Sequence, residues 1–130
     1  MNIKSPQSLV QEALKEVKTI SPEDALEKSK NNQCNLIDIR DATELENTGR
    51  VENALHIWRG LLEFSVHPDS PYVTQNILNL EKEIILFCAA GGRSALAAKT
   101  LKEMGFEKVS HVDGGFAQMQ SIGFKVKWIL

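Results

Sequence analysis

The sequence has little of what marks several large classes of protein. It holds two cysteines in 130 residues, Cys34 and Cys88, and no C-x-x-C pair. That excludes the usual zinc-knuckle and dithiol redox spacings, and a disulfide is not expected in a chain of this kind. Its three histidines, His56, His67 and His111, stand far apart with no i, i+4 pairing, so no metal site is expected. No apolar run approaches the roughly 18 residues of a membrane span. Met1 to Val10 lacks a basic stretch followed by an apolar core, so no secretory leader is expected and a cytoplasmic location is the default. Net charge is only -2. Residues 1–80 hold 8 basic and 12 acidic side chains, and residues 81–130 hold 7 and 5. That tilt is far short of a nucleic-acid footprint, and no block of like charges forms a tail. Nucleic acid, membrane and metal are therefore unexpected as partners.

What is present fits one domain over residues 1–130. Hydrophobic residues make up 42% and charged residues 25%, enough for a single core and ordinary for a globular chain. Ser5-Pro6 and Ser21-Pro22 each put a capping hydroxyl before a proline at the first helical position. After Pro6, the residues Leu9, Val10, Ala13, Leu14 and Val17 fall on one helical face. After Pro22 a shorter, more polar helix is expected to about Lys30. Short apolar runs mark strands at 17–20, 36–39, 54–57, 84–87 and 109–112. Ile84-Ile85-Leu86-Phe87 is uniformly apolar, as a strand buried on both faces would be. Ala95 to Met104 reads as a helix closed by Gly105, and His67 to Pro71 as a loop. Strands alternating with helices predict an α/β fold, a parallel-rich sheet covered on both faces.

The segment from Ile84 to Met104 carries the chemistry. It reads buried strand, then Cys88-Ala89-Ala90-Gly91-Gly92-Arg93-Ser94, then helix. Reactive groups collect at the carboxyl ends of strands in such sheets. Two glycines let the backbone curl so that successive N–H groups form a nest for an anion. A helix beginning near Ser94 adds its positive end, and Arg93 is a permanent cation beside the nest. All three favour thiolate over thiol, and the thiolate is the nucleophile. Cys34 has no such setting and reads as a small buried hydrophobe.

Cys88 to Ser94 matches a C-x-x-G-x-R-S loop. Leu36-Ile37-Asp38-Ile39-Arg40, followed by Glu44, Gly49, Arg50, Val51 and Ala54, forms a second motif. Val112-Asp113-Gly114-Gly115-Phe116 with Gly123 forms a third. In these three motifs, taken in order, the chain resembles the single-domain rhodanese family of sulfurtransferases. The match runs roughly from Thr19 to Val126 and leaves residues 1–17 as an extra N-terminal helix. It departs from the family pattern at Arg50, Asn53, Met119 and Lys125, none of them in the Cys88 loop.

The resemblance implies a rhodanese-like fold of about five mostly parallel strands with helices on both faces. It implies a persulfide on Cys88, held by the amides from Ala89 to Arg93. The sulfur would come from a small anionic donor such as thiosulfate and pass to a thiol, a protein acceptor or cyanide, without a cofactor. Related phosphatases carry a loop one residue longer, C-x-x-x-x-x-R. The shorter interval here resembles the sulfur-transfer form rather than the phosphatase or arsenate reductase form. A non-catalytic sulfur carrier or regulatory module on the same fold is the alternative. Asp38 and Arg40 are read as an ion pair or as support for the site's floor. Arg59 is read either as a pocket residue attracting an anionic donor or as a solvated charge. Asp113-Gly114-Gly115 is read as a turn into the last helix, and Trp58 and Trp128 as packing residues.

Overall fold

The computed structural model describes residues 1–128. The chain runs α1 (Pro6–Leu14), β1 (Lys18–Ile20), α2 (Pro22–Lys30), β2 (Cys34–Asp38) and α3 (Ala42–Thr48). Then come β3 (Arg50–Val51), β4 (Leu55–His56), a 3-10 turn (Arg59–Leu61), α4 (Leu62–Val66) and α5 (Pro71–Thr74). The last part is β5 (Glu83–Phe87), α6 (Gly92–Met104), β6 (Val109–Val112), α7 (Gly115–Ser121) and β7 (Val126–Lys127). Five strands form one parallel sheet in the order β1-β6-β5-β2-β4, and β3 pairs antiparallel with β7 in a small second sheet.

The apolar run of β5 earns its central place. Ile84 and Leu86 pack on one face with Ile37, Leu62, Val66, Ala97, Ala98 and Leu101. Ile85 and Phe87 pack on the other with Ala25, Leu36, Phe116, Met119 and Phe124. A strand covered on both sides has no polar face, which is why its sequence does not alternate. Helices α4 and α6 thus contribute to one layer, and α2 and α7 to the other. Met119, one of the departures noted above, is fully buried in the second layer.

Adjacent strands β2 and β5 send their chains in opposite directions across the sheet. From β5 the chain returns through α6 to β6; from β2 it passes α3 toward β4. Between such strands the loops part and leave a crevice at the carboxyl ends, where ligands collect in open α/β sheets. Cys88 stands there, directly after β5.

Four local expectations need correction. Helix α6 begins at Gly92, not near Ser94, because Gly91 takes the left-handed conformation (φ +106) that turns the loop into the helix. Helix α1 buries Ala13 and half-buries Val10, but Leu9 and Leu14 are exposed. At 100° per residue Val10 and Ala13 form the stripe that meets the rest of the protein, and Leu9 and Leu14 flank it; Val17 lies beyond the end of the helix. The 67–71 loop ends in a turn of helix from Pro71. Trp58 and Trp128 are exposed rather than packed in the core; each ring lies over a glycine, Gly60 and Gly49 respectively.

Candidate active site

The Cys88 sulfur sits in a cradle of donors. The backbone N–H of Gly91 donates to Sγ at 3.1 Å and that of Ser94 at 3.4 Å. Ser94 N–H belongs to the first turn of α6, where four amides have no partner within the helix. The sulfur takes one of them, so the helix dipole points at it. Ser94 Oγ lies 3.6 Å from Sγ and also contacts the Gly91 carbonyl at 3.2 Å. The two backbone amides form a cradle of the kind that can hold an anionic group. Cys88 is 1% exposed.

The loop is held from behind by the start of α7. Phe116 N–H donates to the Cys88 carbonyl at 2.8 Å, and Ala117 N–H to the Ala89 carbonyl at 3.3 Å. Gly115 makes this approach feasible. A Cβ there would stand 2.5 Å from the Cys88 oxygen and 2.8 Å from the Ala89 carbonyl carbon, and φ is +58. The Asp113-Gly114-Gly115 turn therefore serves the loop as well as the last helix.

Arg93 is at the rim and is already paired. Its two terminal nitrogens donate to Glu44 at 2.8 and 2.6 Å. Glu44 also accepts from Asp41 N–H at 3.0 Å, closing a capping box with Asp41 at the start of α3. One carboxylate thus ties the helix after β2 to the loop after β5, across the crevice. The Arg93 guanidinium beside it holds the Glu44 carboxyl down to about 2, and Glu44 in turn raises Arg93.

Asp38 and Arg40 form a buried ion pair beneath this level. Arg40 donates to both Asp38 oxygens (2.8 to 3.1 Å), to Thr48 Oγ1 at 2.7 Å and to the Gly49 carbonyl at 3.0 Å. Its guanidinium stacks 4.1 Å from the Phe116 ring centroid. Every part of the cation is engaged, which offsets the cost of burying it. The pair fastens the end of β2 to α7, the helix that props the loop. Arg59 donates from its guanidinium to Glu63 at 2.6 Å and to Thr100 at 3.4 Å. Thr100 is six residues, about 9 Å along the helix, beyond Ser94.

Three contributors escape a reading from residue types alone. Glu44 had a signal, the Asp41-x-x-Glu44 capping pattern. Gly115 had one only as a turn glycine. His111 had none: buried on β6, it bonds Ser94 Oγ at 3.0 Å through Nδ1 and Thr19 Oγ1 at 2.8 Å through Nε2. Among the described residues, no cluster of three or more histidine, cysteine or acidic side chains could hold a metal, and no helix is long and apolar enough to cross a membrane.

The rhodanese-like domain model matches residues 21–122. A structure of a Rhodopseudomonas palustris protein of unknown function, described as a possible tyrosine phosphatase, is 34% identical and covers 98% of this chain and 97% of its own, with a TM-score of 0.84. The polysulfide-sulfur transferase of Wolinella succinogenes, a homodimer in solution, is 32% identical and covers 95% of this chain and 87% of its own, with a TM-score of 0.72. A tRNA uridine(34) hydroxylase of Chlamydia abortus is 33% identical over 114 residues, 82% of this chain and 32% of that protein. The chain spans about a third of the length of the curated relatives it matches.

Proposed function

The chain belongs to the rhodanese-like domain family, and from that premise we propose that it is a sulfurtransferase working through a persulfide on Cys88. The observation that carries the reading is the cradle itself, a sulfur at the end of β5 facing the Gly91 and Ser94 amides. The Cys88 thiolate attacks the outer sulfur of an anionic donor such as thiosulfate. A new S–S bond forms, the donor's S–S bond breaks, and sulfite leaves with its electron pair. The Cys88 persulfide, still anionic, stays in the cradle. A thiolate or cyanide then attacks the outer sulfur, and the Cys88 thiolate leaves and is restored. No step needs a metal or an organic cofactor.

The similar Wolinella polysulfide-sulfur transferase supports the sulfur chemistry and adds polysulfide to the donors worth testing. The phosphatase reading has one observation behind it, the description given to the Rhodopseudomonas protein. Against it stands the length of the loop, in which Arg93 follows Cys88 after four residues rather than the five of the related phosphatase loop. Steady-state assays separate the two. Thiosulfate and cyanide should give thiocyanate with parallel-line, double-displacement kinetics, and an aryl phosphate should not be hydrolysed. Hydrolysis that is lost in Cys88→Ser, with no thiocyanate formed, would favour the phosphatase instead.

A further inference from the structure

A hydrogen-bonded chain leads from the Cys88 sulfur to the protein surface. Its links are Cys88 Sγ to Ser94 Oγ, Ser94 Oγ to His111 Nδ1, and His111 Nε2 to Thr19 Oγ1. Ser94 is fully buried and His111 is 2% exposed, while Thr19 lies exposed on the edge strand β1. The links come from α6, β6 and β1 in turn, so only the tertiary fold assembles them.

A neutral imidazole has one N–H. With both ring nitrogens engaged, one must donate and the other accept. The chain therefore has two self-consistent directions. In the outward one, the thiol donates to Ser94 Oγ, the Ser94 hydroxyl to Nδ1, Nε2–H to Thr19 Oγ1, and the Thr19 hydroxyl to water. In the inward one, every bond is reversed and the Ser94 hydroxyl donates to the sulfur. That adds a third donor to the Gly91 and Ser94 amides, and only an anionic sulfur can use all three.

We propose that His111 is a positioning residue for Cys88, acting through Ser94, and that its ring changes from the Nε2–H to the Nδ1–H tautomer when Cys88 loses its proton. The proposal rests on the reading of Cys88 thiolate as the nucleophile. The protons balance. The Cys88 proton passes to Ser94 Oγ, the former Ser94 proton to Nδ1, the Nε2 proton to Thr19 Oγ1, and the former Thr19 proton to water. The ring carries no net charge before or after. Burial keeps it neutral, pushing His111 below the usual histidine range against a smaller opposing pull from Asp113. The cations on β1 and α6 are occupied: Lys18 by Glu83, Lys99 by Glu16, Arg93 by Glu44 and Lys102 by the Glu16 carbonyl. The Gly91 carbonyl competes for the Ser94 hydroxyl. A ring that donates through Nδ1–H removes Nδ1 as a competing acceptor and leaves the hydroxyl free for the sulfur.

The test is nitrogen NMR of the histidine rings in the full chain, with Cys34→Ser as background so that one thiol reports. Ionisation of Cys88 is followed in parallel by its ultraviolet thiolate absorbance. The expected result is an Nε2–H signal for His111 where Cys88 is a thiol, an Nδ1–H signal where it is a thiolate, and a shared midpoint. Adding Cys88→Ser should leave one tautomer throughout. A single tautomer across the titration, or a switch that persists in Cys88→Ser, overturns the proposal. A double-mutant cycle adds a second measurement. Ser94→Ala should slow iodoacetamide alkylation of Cys88 at neutral pH about tenfold, the loss of one hydrogen bond to a charged group. His111→Leu should slow it alone but add nothing to Ser94→Ala, and additive slowing would contradict the coupling. None of these readouts needs a sulfur donor. A protein that switches yet never takes up sulfur would keep this inference and lose the transfer function.

Discussion

The two cysteines stand at opposite ends of one pair of strands, and their surroundings differ in sign. Cys34 opens β2 beside Glu83, and Cys88 follows β5, five residues further along. That separation is about 16 Å at roughly 3.3 Å per residue. No disulfide can span it, and Cys34 cannot reach a persulfide on Cys88. Cys34 is the more exposed of the two, yet burial, seconded by the Glu83 carboxylate, pushes its thiol up to about 11. Cys88 is hidden but ringed by N–H donors from a helix start. Exposure alone would name Cys34 as the reactive thiol; electrostatics names Cys88. The carboxyl ends of parallel strands receive helix N-termini, and the amino ends do not.

The largest expected effect is on alkylation. At pH 8 only on the order of one in a thousand Cys34 groups is thiolate, given a value of about 11. Iodoacetamide at that pH should modify Cys88 at least about 100-fold faster than Cys34, read by peptide mass. The gap should narrow as pH approaches 11. Equal rates at pH 8 would break the comparison. The same raised thiol makes stability pH-dependent. The folded state keeps the Cys34 proton longer than the unfolded chain does, so the contribution is full below the unfolded value and is lost as pH climbs to about 11. Chemical denaturation of wild type and Cys34→Ser between pH 8 and 11 should show the difference.

Next in size is the support beneath the Cys88 end. Arg40→Ala leaves the Asp38 carboxylate buried and unpaired, and should cost about 3–5 kcal/mol by denaturant unfolding. Gly115→Ala should cost about 1–3 kcal/mol. It should also cut Cys88 alkylation several-fold, because the new methyl pushes on the Cys88 and Ala89 carbonyls. A normal alkylation rate in that variant would mean that α7 does not set the loop. Smallest is Glu44→Gln. The pair with Arg93 is partly exposed, so less than about 1 kcal/mol is expected. The depressed Glu44 contributes above the unfolded carboxylate value and loses its contribution as pH falls toward about 2. The freed Arg93 should change the KM for thiosulfate more than kcat.

The strand–helix alternation, the central β5 and the cysteine loop were legible in the sequence because each rests on local pattern. An unbroken apolar run, a proline after a serine and a glycine pair act within a few residues. The crevice was legible only as an expectation about strand ends. What the sequence hid were contacts between distant segments. Nothing local says that Glu44 meets Arg93, that Gly115 lies against the Cys88 carbonyl, or that His111 joins Ser94 to Thr19. Asn53 shows the middle case. One of the departures from the family pattern, it has a left-handed backbone (φ +69), which asparagine tolerates better than most residues. Nor does anything local say that the Arg59 guanidinium meets Thr100 on α6.

The central claim is that Cys88 carries sulfur and Cys34 does not. Intact-protein mass after thiosulfate, and again after cyanide, tests it on wild type, Cys34→Ser and Cys88→Ser. The account predicts that wild type and Cys34→Ser each gain the mass of one sulfur atom and lose it to cyanide, while Cys88→Ser gains none. Loading that survives in Cys88→Ser, or that disappears in Cys34→Ser, would contradict it.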